Sequence, residues 1–258
     1  MTQNPDAQST EPPVIEMNGV SISAQAFPDK AVVEDINWTV RPGEYWIIAG
    51  MHGTGKSDFM ATTAGLLPPL GGEYRLFGRE MPIFEDHLLS ERLRLGLAFE
   101  GGQLLQNLTI KQNVELPLRY HRPNASRDEI TAMLELTGLN HVANSLPATV
   151  SRSWHKRAGL ARALMLRPEI LLVDDPLSGL DLRHGRWWVE FLRQLSSGHK
   201  HLEGKPLTLI VTTEDLRPWR NFGAHFALLQ DKRFTPLGRQ ANIAGHTQPL
   251  VKELLAEH

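Results

Sequence analysis

Cysteine is absent from this sequence of 258 residues. Its absence excludes disulfide bonds, zinc–thiolate sites and thiol catalysis, and it is consistent with a reducing compartment. The eleven histidines are scattered along the chain without the spacing typical of metal ligands, which favours packing or surface roles for them. The chemistry of the protein must therefore come from other residue types.

Long apolar runs and a strong charge of one sign are also missing. The formal net charge is −2, which gives no indication of a surface for polyanions, so nucleic acid is not an expected partner. No apolar run approaches the roughly 20 residues that a membrane-spanning helix needs. Residues 1–13 lack the regions of a signal peptide and are predicted to form a disordered tail. We expect a soluble protein, or one held at a membrane by a partner.

Short apolar stretches alternate with helical patterns along the chain. This alternation favours an α/β fold with a parallel sheet, and the length allows one domain with an insertion. The predicted helix at residues 126–136 begins with Ser126 as N-cap and Glu129 completing a capping box. The other predicted elements are strands at 14–17, 36–40, 45–49, 71–78, 95–99, 170–173 and 207–211, and helices at 58–64 and 151–166.

A glycine-rich loop with the pattern G-x-x-x-x-G-K-[ST] connects the predicted strand at 45–49 to the helix that follows. Glycines let backbone N–H groups turn toward phosphate oxygens, and the N-terminus of the helix adds positive potential. Lys56 is placed to reach the β- and γ-phosphates of a nucleoside triphosphate, and the Ser57 hydroxyl to bind Mg²⁺. The predicted phosphate-binding residues are Gly50, Met51, His52, Gly53, Thr54, Gly55, Lys56, Ser57 and Asp58.

A second motif is the apolar strand at 170–173, which ends in Asp174 and Asp175. Downstream of a phosphate loop, this pattern is typical of a Walker B motif, in which Asp174 binds Mg²⁺ directly or through water. Asp175 would face the γ-phosphate, where a carboxylate can polarise the attacking water. Taken alone, an Asp-Asp-Pro sequence could be a turn that closes a strand, but the phosphate loop favours the functional interpretation.

These motifs together resemble the ATP-binding subunit of an ABC transporter over nearly the whole chain. Residues 177–181 resemble the D-loop of that family, and residues 157–164 resemble the helix that follows its signature. Residues 17–21, 99–105 and 113–119 are most similar to the ATPase of Mla-type lipid-transport systems. The chain is expected to bind ATP with Mg²⁺ and to couple its hydrolysis to movement of a substrate, expected to be a lipid.

The resemblance also implies a fold. It is an α/β P-loop NTPase with a RecA-like core, an antiparallel β subdomain from the N-terminal third and an inserted helical subdomain near residues 100–160. The ATP-binding domain would span residues 14–245, and a helix or tail would follow at 246–258.

Partners and a location follow from the same resemblance. Each ATP would lie between the phosphate loop of one subunit and the signature residues Ser151, Arg152 and Ser153 of a second subunit, in a homodimer or a heterodimer. The helical subdomain and the loop after Phe99 would dock on a membrane permease. A lipid-carrier protein would be a further partner. The protein would be cytoplasmic and held at the inner membrane by the permease.

The sequence departs from the family pattern in the residues that tune hydrolysis, although Lys56, Ser57 and Asp174 are retained. The departures are Glu100 for the glutamine expected to bind Mg²⁺, Val150–Trp154 for the signature LSGGQ, Asp175 for the glutamate after the Walker B aspartate and Glu214 for the switch histidine.

The substituted residues have predictable effects. Asp175 is shorter than glutamate by one methylene, about 1.5 Å, and misplacements of this size cost about 10²-fold in rate. Glu100 keeps an oxygen ligand for Mg²⁺, whereas Glu214 replaces a hydrogen-bond donor to the γ-phosphate with an acceptor. Hydrolysis is therefore predicted to be slow. The alternative is a subunit that dimerises with ATP and regulates a transporter without turnover.

Two further expectations concern single side chains. Arg152 adds a cation where two carboxylates are gained, so it is predicted to pair with Glu214 or with the γ-phosphate across the dimer interface. Neutral drift in an inactive subunit is the alternative.

Ala24 or Ala26 stands near the place of the family's adenine-stacking aromatic, and the nearest aromatic, Phe27, could equally be a core or turn residue.

Overall fold

The computed structural model describes residues 11–81, 89–222, 225–239, 243 and 245–256. Most of the predicted tail and the last two residues of the chain therefore lie outside the described residues. The described strands are β1 (Ile15–Ala24), β2 (Phe27–Val40), β3 (Tyr45–Ala49), β4 (Gly71–Leu76), β5 (Arg79–Glu80), β6 (Leu95–Ala98), β7 (Ile170–Val173), β8 (Thr208–Thr213), β9 (His225–Gln230) and β10 (Arg233–Arg239). The helices are α1 (Lys56–Thr63), α2 (Leu89–Arg92), α3 (Ile110–His121), α4 (Arg127–Leu136), α5 (Arg152–Leu164), α6 (Leu182–Ser196) and α7 (Pro249–Leu255).

The strands form a mixed sheet in the order β5-β4-β1-β2-β10-β9-β3-β8-β7-β6. From β9 to β6 the neighbours are parallel, whereas β1, β2, β4 and β5 pair antiparallel. The α/β fold predicted from the sequence is confirmed. One bridge, between Arg233 of β10 and Glu34 of β2, joins the two halves. The antiparallel strands β1, β2, β4 and β5 all lie in the N-terminal third of the chain, as predicted, and β10 from the C-terminal part pairs with β2 in parallel.

The register of the parallel strands brings the predicted site together. Ala49 at the end of β3 lies opposite Thr213 at the end of β8. Val173 at the end of β7 lies beside Val211 on one side and Ala98 of β6 on the other. Because these strands point the same way, the loops after them emerge at one edge of the sheet, which is where ligands bind in open α/β folds.

The sheet has an apolar core on each face, as alternation along its strands requires. In β3, Ile47 faces the cluster that contains the helix residues Trp188 and Leu164, whereas Ile48 faces the cluster of β1 and β2. Phe59 of α1 is buried on this second side, with its ring centroid 5.4 Å from that of Trp38. This packing fixes α1, and with it the end of the glycine-rich loop, against the sheet.

The segment between β6 and β7 is helical and contains α3, α4 and α5. The N-terminus of α3 carries a capping box in which Thr109 and Gln112 satisfy each other's backbone N–H groups. Ser126 caps α4 as predicted, by accepting from the Asp128 N–H at 3.1 Å. The predicted capping box at Glu129 is wrong, because this carboxylate instead accepts two hydrogen bonds from Arg122, at 3.0 and 3.2 Å.

None of the helices in the described part of the chain is long and apolar enough to cross a membrane.

Helix α5 meets the loop after β6 through a contact between two glycines. A Cβ atom on Gly159 would lie 2.7 Å from the Cα atom and 2.9 Å from the carbonyl oxygen of Gly102. Real Cβ atoms do not approach backbone this closely, so only glycine lets the loop lie on the helix. The loop begins at Glu100 and the helix at Arg152, and the glycine contact holds these two elements together.

We expect Gly159→Ala to lower the free energy of unfolding by about 1–3 kcal/mol, because the added methyl group must push the loop away from α5. Chemical denaturation measures this change. Gly185→Ala in α6 is the matched control, since a Cβ there meets no atom within 4 Å. It should be neutral or stabilise by up to about 1 kcal/mol through helix propensity. Equal effects of the two substitutions would contradict the close contact.

Candidate functional site

The glycine-rich loop leaves β3 and is fixed to the neighbouring strand. The Gly50 N–H donates to the carbonyl oxygen of Thr213 at 3.1 Å. Thr54 closes a tight turn by donating its hydroxyl to the carbonyl oxygen of Met51 at 2.9 Å. Gly55, with φ of +87°, occupies the left-handed region that favours glycine. It directs the chain into α1.

The first turn of α1 offers free hydrogen-bond donors. No side chain caps this helix, and among the described residues no acceptor is bonded to the backbone N–H groups of Lys56, Ser57 or Asp58. Such N–H groups, with the helix dipole behind them, form a site for an anion. The Asp58 carboxylate is used elsewhere, accepting from the Gln25 N–H at 2.8 Å. It ties the β1–β2 turn to the helix.

The Lys56 side chain is buried, with 7% of its surface exposed. Its ammonium group donates to the carbonyl oxygens of Gly50 and Met51, both at 2.9 Å. The third acceptor is Oε1 of Glu214 at 3.0 Å. His52 Nδ1 lies 3.5 Å from the same oxygen. All three N–H donors of this ammonium group therefore have acceptors within the chain.

Asp174 follows β7 and is also buried, with 6% of its surface exposed. Its Oδ1 accepts from the Thr212 hydroxyl at 2.7 Å, and the Thr212 oxygen in turn accepts from the Asp175 N–H at 3.1 Å. Thr212 was not predicted from the sequence. Its role could have been suspected, because β8 is buried along its whole length and a buried threonine hydroxyl needs a polar partner.

Asp175 is held in an unusual conformation beside a buried lysine. Its φ is +38°, which is uncommon for a residue other than glycine. Burial raises the pKa of its carboxyl to about 6, and the nearby Lys156 charge opposes the shift. Lys156 donates to the carbonyl oxygens of Asp175 at 2.8 Å and Pro176 at 3.3 Å, and burial lowers its pKa to about 8. Lys156 thus fixes the backbone around Asp175, and this role was not predicted from the sequence.

Glu100 and Arg152 form an ion pair within the chain. Nη2 of Arg152 lies 2.7 Å from Oε1 of Glu100, and the Ser178 hydroxyl donates to the same oxygen at 3.2 Å. Three segments therefore meet at one carboxylate: the loop after β6, the start of α5 and the loop after β7. Ser151 and Arg152 are exposed and Ser153 is half-buried, so this segment is accessible to a second chain.

These features match a known family. Residues 33–178, more than half of the chain, match the model of the family described as ABC transporter. The chain belongs to the ABC transporter family. The matched region contains the glycine-rich loop, Asp174, Asp175 and the ion pair of Glu100 with Arg152.

Individual relatives agree with this assignment. The chain is 29% identical over 245 residues to the "Probable ribonucleotide transport ATP-binding protein mkl" of Mycobacterium tuberculosis, and the match covers 93% of this chain and 66% of the relative. It is 35% identical over 210 residues to the "Macrolide export ATP-binding/permease protein MacB" of Sodalis glossinidius, covering 79% of this chain and 31% of that protein. The chain thus spans less than two thirds of the length of these relatives.

A solved structure shows the same architecture. It is a dimeric structure of the ATP-binding cassette MJ0796 in a post-hydrolysis state, bound to ADP and Pi. The TM-score is 0.74 at 27% sequence identity, and the match covers 85% of this chain and 95% of that chain. The ABC cassette fold that the sequence predicted is therefore confirmed, and so is the resemblance on which it rested.

Compared with the family pattern, two of the three substituted acids have a positive partner in their own chain. Glu214 pairs with Lys56, and Glu100 pairs with Arg152. In the single chain Arg152 thus contacts Glu100 and not Glu214. Pairing of Arg152 across a dimer stays a prediction. Trp154, at the glutamine position of the signature, packs edge-on against His141 and His184 with ring centroids 4.5 and 5.1 Å away.

The residues present fit a Mg²⁺ ion that is bound together with phosphate. Within the described ranges, no group of three or more His, Asp or Glu side chains could hold a metal by itself. Mg²⁺ in nucleotide sites uses one or two carboxylates and completes its shell with phosphate oxygens and water. Asp174 is a buried carboxylate whose one hydrogen bond comes from Thr212, and Ser57 is exposed beside the free N–H groups. The predicted third ligand, Glu100, is engaged by Arg152 and Ser178.

The ion pair within the chain can be tested by a double-mutant cycle with Glu100→Ala and Arg152→Ala. Both side chains are about half exposed, so we expect a coupling of about 0.2–1 kcal/mol in the free energy of unfolding. A second cycle with Glu214→Ala and Arg152→Ala should be additive within about 0.5 kcal/mol in the isolated chain. Coupling in the second cycle alone would contradict the observed pairing.

Proposed function

We propose that this chain is the ATP-binding subunit of an ABC transporter, and that it couples ATP binding and slow hydrolysis to substrate movement through a membrane permease. The observation that carries the proposal is the buried ammonium group of Lys56 beside the free N–H groups of α1. These groups lie on the sheet edge from which Asp174 also emerges. This arrangement suits a polyphosphate with a divalent cation.

Each side chain has a proposed role in this site. The N–H groups of residues 55–58 and the Lys56 ammonium would bind the phosphates, while Asp174 and Ser57 would hold Mg²⁺. The ion would neutralise phosphate charge. Asp175 would orient the attacking water, and Lys156 keeps the backbone of Asp175 in place through its 2.8 Å hydrogen bond. Because Asp175 is shorter than glutamate, we propose that turnover is slow.

We propose that the active form is a dimer in which the exposed segment Ser151–Ser153 completes the nucleotide site of a second subunit. The similarity to MJ0796, whose structure is described as dimeric, supports this arrangement. The second subunit is either another copy of this chain or a different protein.

A groove beside β6 is the proposed docking place for the permease. Strand β6 lies at one end of the sheet order, and its outer side borders a cavity of about 350 Å³ between α3 and α5. Leu97, Phe99, Leu116 and Pro117 contribute to its lining. Tyr120 stands at this groove with 78% of its surface exposed. An exposed aromatic residue at an apolar groove is typical of an interface.

The substrate is proposed on resemblance. Relatives are named for ribonucleotide, methionine and macrolide transport, so the family match does not define a cargo. The resemblance of residues 99–105 and 113–119 to Mla-type ATPases favours a lipid, a lipid-carrier partner and a position at the inner membrane.

A second candidate function is ATP-dependent dimerisation without turnover. It is favoured by the Glu214 carboxylate on Lys56, since the family has a histidine at this position. Such a subunit would bind Mg²⁺–ATP and dimerise, but it would release phosphate no faster than a variant with a disabled phosphate loop.

Calorimetry with Mg²⁺–ATP tests nucleotide binding. We expect Lys56→Ala to weaken binding at least about tenfold, because charge-assisted hydrogen bonds to phosphate are lost. Lys232→Ala is the matched control, since this exposed lysine pairs with Glu34 at 3.1 Å and should leave affinity unchanged. Phosphate release from the same samples separates the two functions. Absence of any nucleotide affinity in well-folded wild-type protein would refute both.

The docking groove is tested by Tyr120→Asp in the tagged protein expressed in its native cells. We expect the permease, an integral membrane protein identified by mass spectrometry, to be lost from the purified complex because a carboxylate disfavours apolar contact. Leu66→Asp is the control, since this leucine is 50% exposed and outside the groove. Retention of the membrane protein by Tyr120→Asp would place the docking surface elsewhere.

A further inference from the structure

The Lys56 ammonium group is saturated before any nucleotide arrives. Two of its acceptors are carbonyl oxygens of the glycine-rich loop, and the third is the Glu214 carboxylate at 3.0 Å. Lysine has three N–H donors and no acceptor. A phosphate oxygen that binds Lys56 must therefore replace one of these three acceptors, and the side chain of Glu214 is the one that can move without unfolding the loop.

The backbone on both sides of Glu214 is fixed. The carbonyl oxygen of Thr213 accepts from the Gly50 N–H at 3.1 Å. The Thr213 hydroxyl donates to the carbonyl oxygen of Asp215 at 3.0 Å and accepts from the Asp215 N–H at 3.1 Å. Asp215 is held in turn by Arg217 at 2.7 and 2.8 Å. The Glu214 side chain itself is 42% exposed, so its carboxylate can rotate into water while the backbone stays in place.

The other acids around the phosphate loop are engaged elsewhere. Among the described residues, Glu100 is held by Arg152 and Ser178, and the Asp174 carboxylate accepts from Thr212. Glu214 is thus the carboxylate that is bonded to Lys56. It follows the end of β8, at the position where the family has a histidine directed at the γ-phosphate.

We propose that Glu214 is a specificity-determining residue, which lowers the affinity for ATP relative to ADP by competing with the terminal phosphate for Lys56. The inference rests on the proposed nucleotide binding and adds a preference to it. A γ-phosphate must displace Glu214 from Lys56 and then remain close to its negative charge. ADP lacks the γ-phosphate, so only its β-phosphate competes with Glu214 for Lys56, and no terminal phosphate is placed beside the Glu214 carboxylate. A phosphate and a carboxylate facing each other without a cation between them are mutually unfavourable.

The test measures affinities for two nucleotides by calorimetry in the presence of Mg²⁺. The probes are ADP and the non-hydrolysable β,γ-imido analogue of ATP, each with wild type and with Glu214→Gln. Glutamine keeps the shape of the side chain, removes its charge and can donate a hydrogen bond. We expect the affinity for the analogue to rise about tenfold, the size of one charge-assisted hydrogen bond, and that for ADP to rise less than about threefold.

Two further variants make the result interpretable. Glu34→Gln removes the same charge from an exposed pair with Lys232, also formed at about the same distance, 3.1 Å, and should change neither affinity. Glu214→His replaces the acceptor with a donor and should shift the preference in the same direction as Glu214→Gln. It also serves if the glutamine variant does not fold, as judged by circular dichroism.

Thermal unfolding without nucleotide provides an independent readout. Glu214→Gln should lower the unfolding temperature of the free protein, because the buried Lys56 loses its charged partner, whereas Glu34→Gln should not. Unchanged affinities, or equal gains for ADP and the analogue, would overturn the inference while leaving nucleotide binding intact. If neither nucleotide binds wild type or variant, the proposed function fails, and the inference fails with it.

Discussion

The arrangement of the site depends on one buried charge, the ammonium group of Lys56. A buried ammonium ion must be fully hydrogen-bonded, because leaving it unpaired in a low-dielectric environment is costly. Two partners come from the glycine-rich loop itself, and the third from the end of β8. The parallel register of β3 and β8 makes the third contact possible, since Ala49 and Thr213 lie side by side. The sheet therefore determines which residue can neutralise the lysine.

Two of the substituted acids, Glu214 and Glu100, form ion pairs with Lys56 and Arg152, but the two pairs do not contribute equally to stability. The pair of Arg152 and Glu100 is about half exposed on both sides, and such pairs contribute little to stability. The pair instead holds two elements together, because it links the loop after β6 to the start of α5. The contact of Gly102 with Gly159 joins the same two elements. The pair of Lys56 and Glu214 includes a buried cation, so its loss is energetically more important.

Sequence patterns predicted the parts of the molecule that depend on local signals. The buried strands at 45–49 and 170–173 are confirmed to the residue, because continuous apolar runs identify central parallel strands. The strands β9 and β10 were not predicted, since the apolar run of β9 is only four residues long and charged and polar residues interrupt β10. The capping box was assigned to the wrong helix. Both T-x-x-Q at 109 and S-x-x-E at 126 satisfy the pattern, but the Glu129 carboxylate accepts hydrogen bonds from Arg122.

The contacts missed from the sequence join residues far apart in the chain. Thr212 bonds Asp174 over 38 positions, and Lys156 bonds the Asp175 carbonyl over 19. The motifs predicted which residues would carry the chemistry, but they did not predict which partners hold these residues in place.

The partner of Lys56 also links folding to binding. In this proposal the Glu214 carboxylate stabilises the nucleotide-free protein and must be displaced from Lys56 when a nucleotide binds. The stability that it adds to the free protein therefore lowers the affinity for the nucleotide. In a chain with an uncharged donor at position 214, Lys56 would be left with only its two carbonyl acceptors until a phosphate supplied the negative charge. In this chain the Glu214 carboxylate supplies that negative charge to Lys56. In the proposed competition for Lys56, the same substitution that stabilises the free protein would therefore weaken its response to ATP.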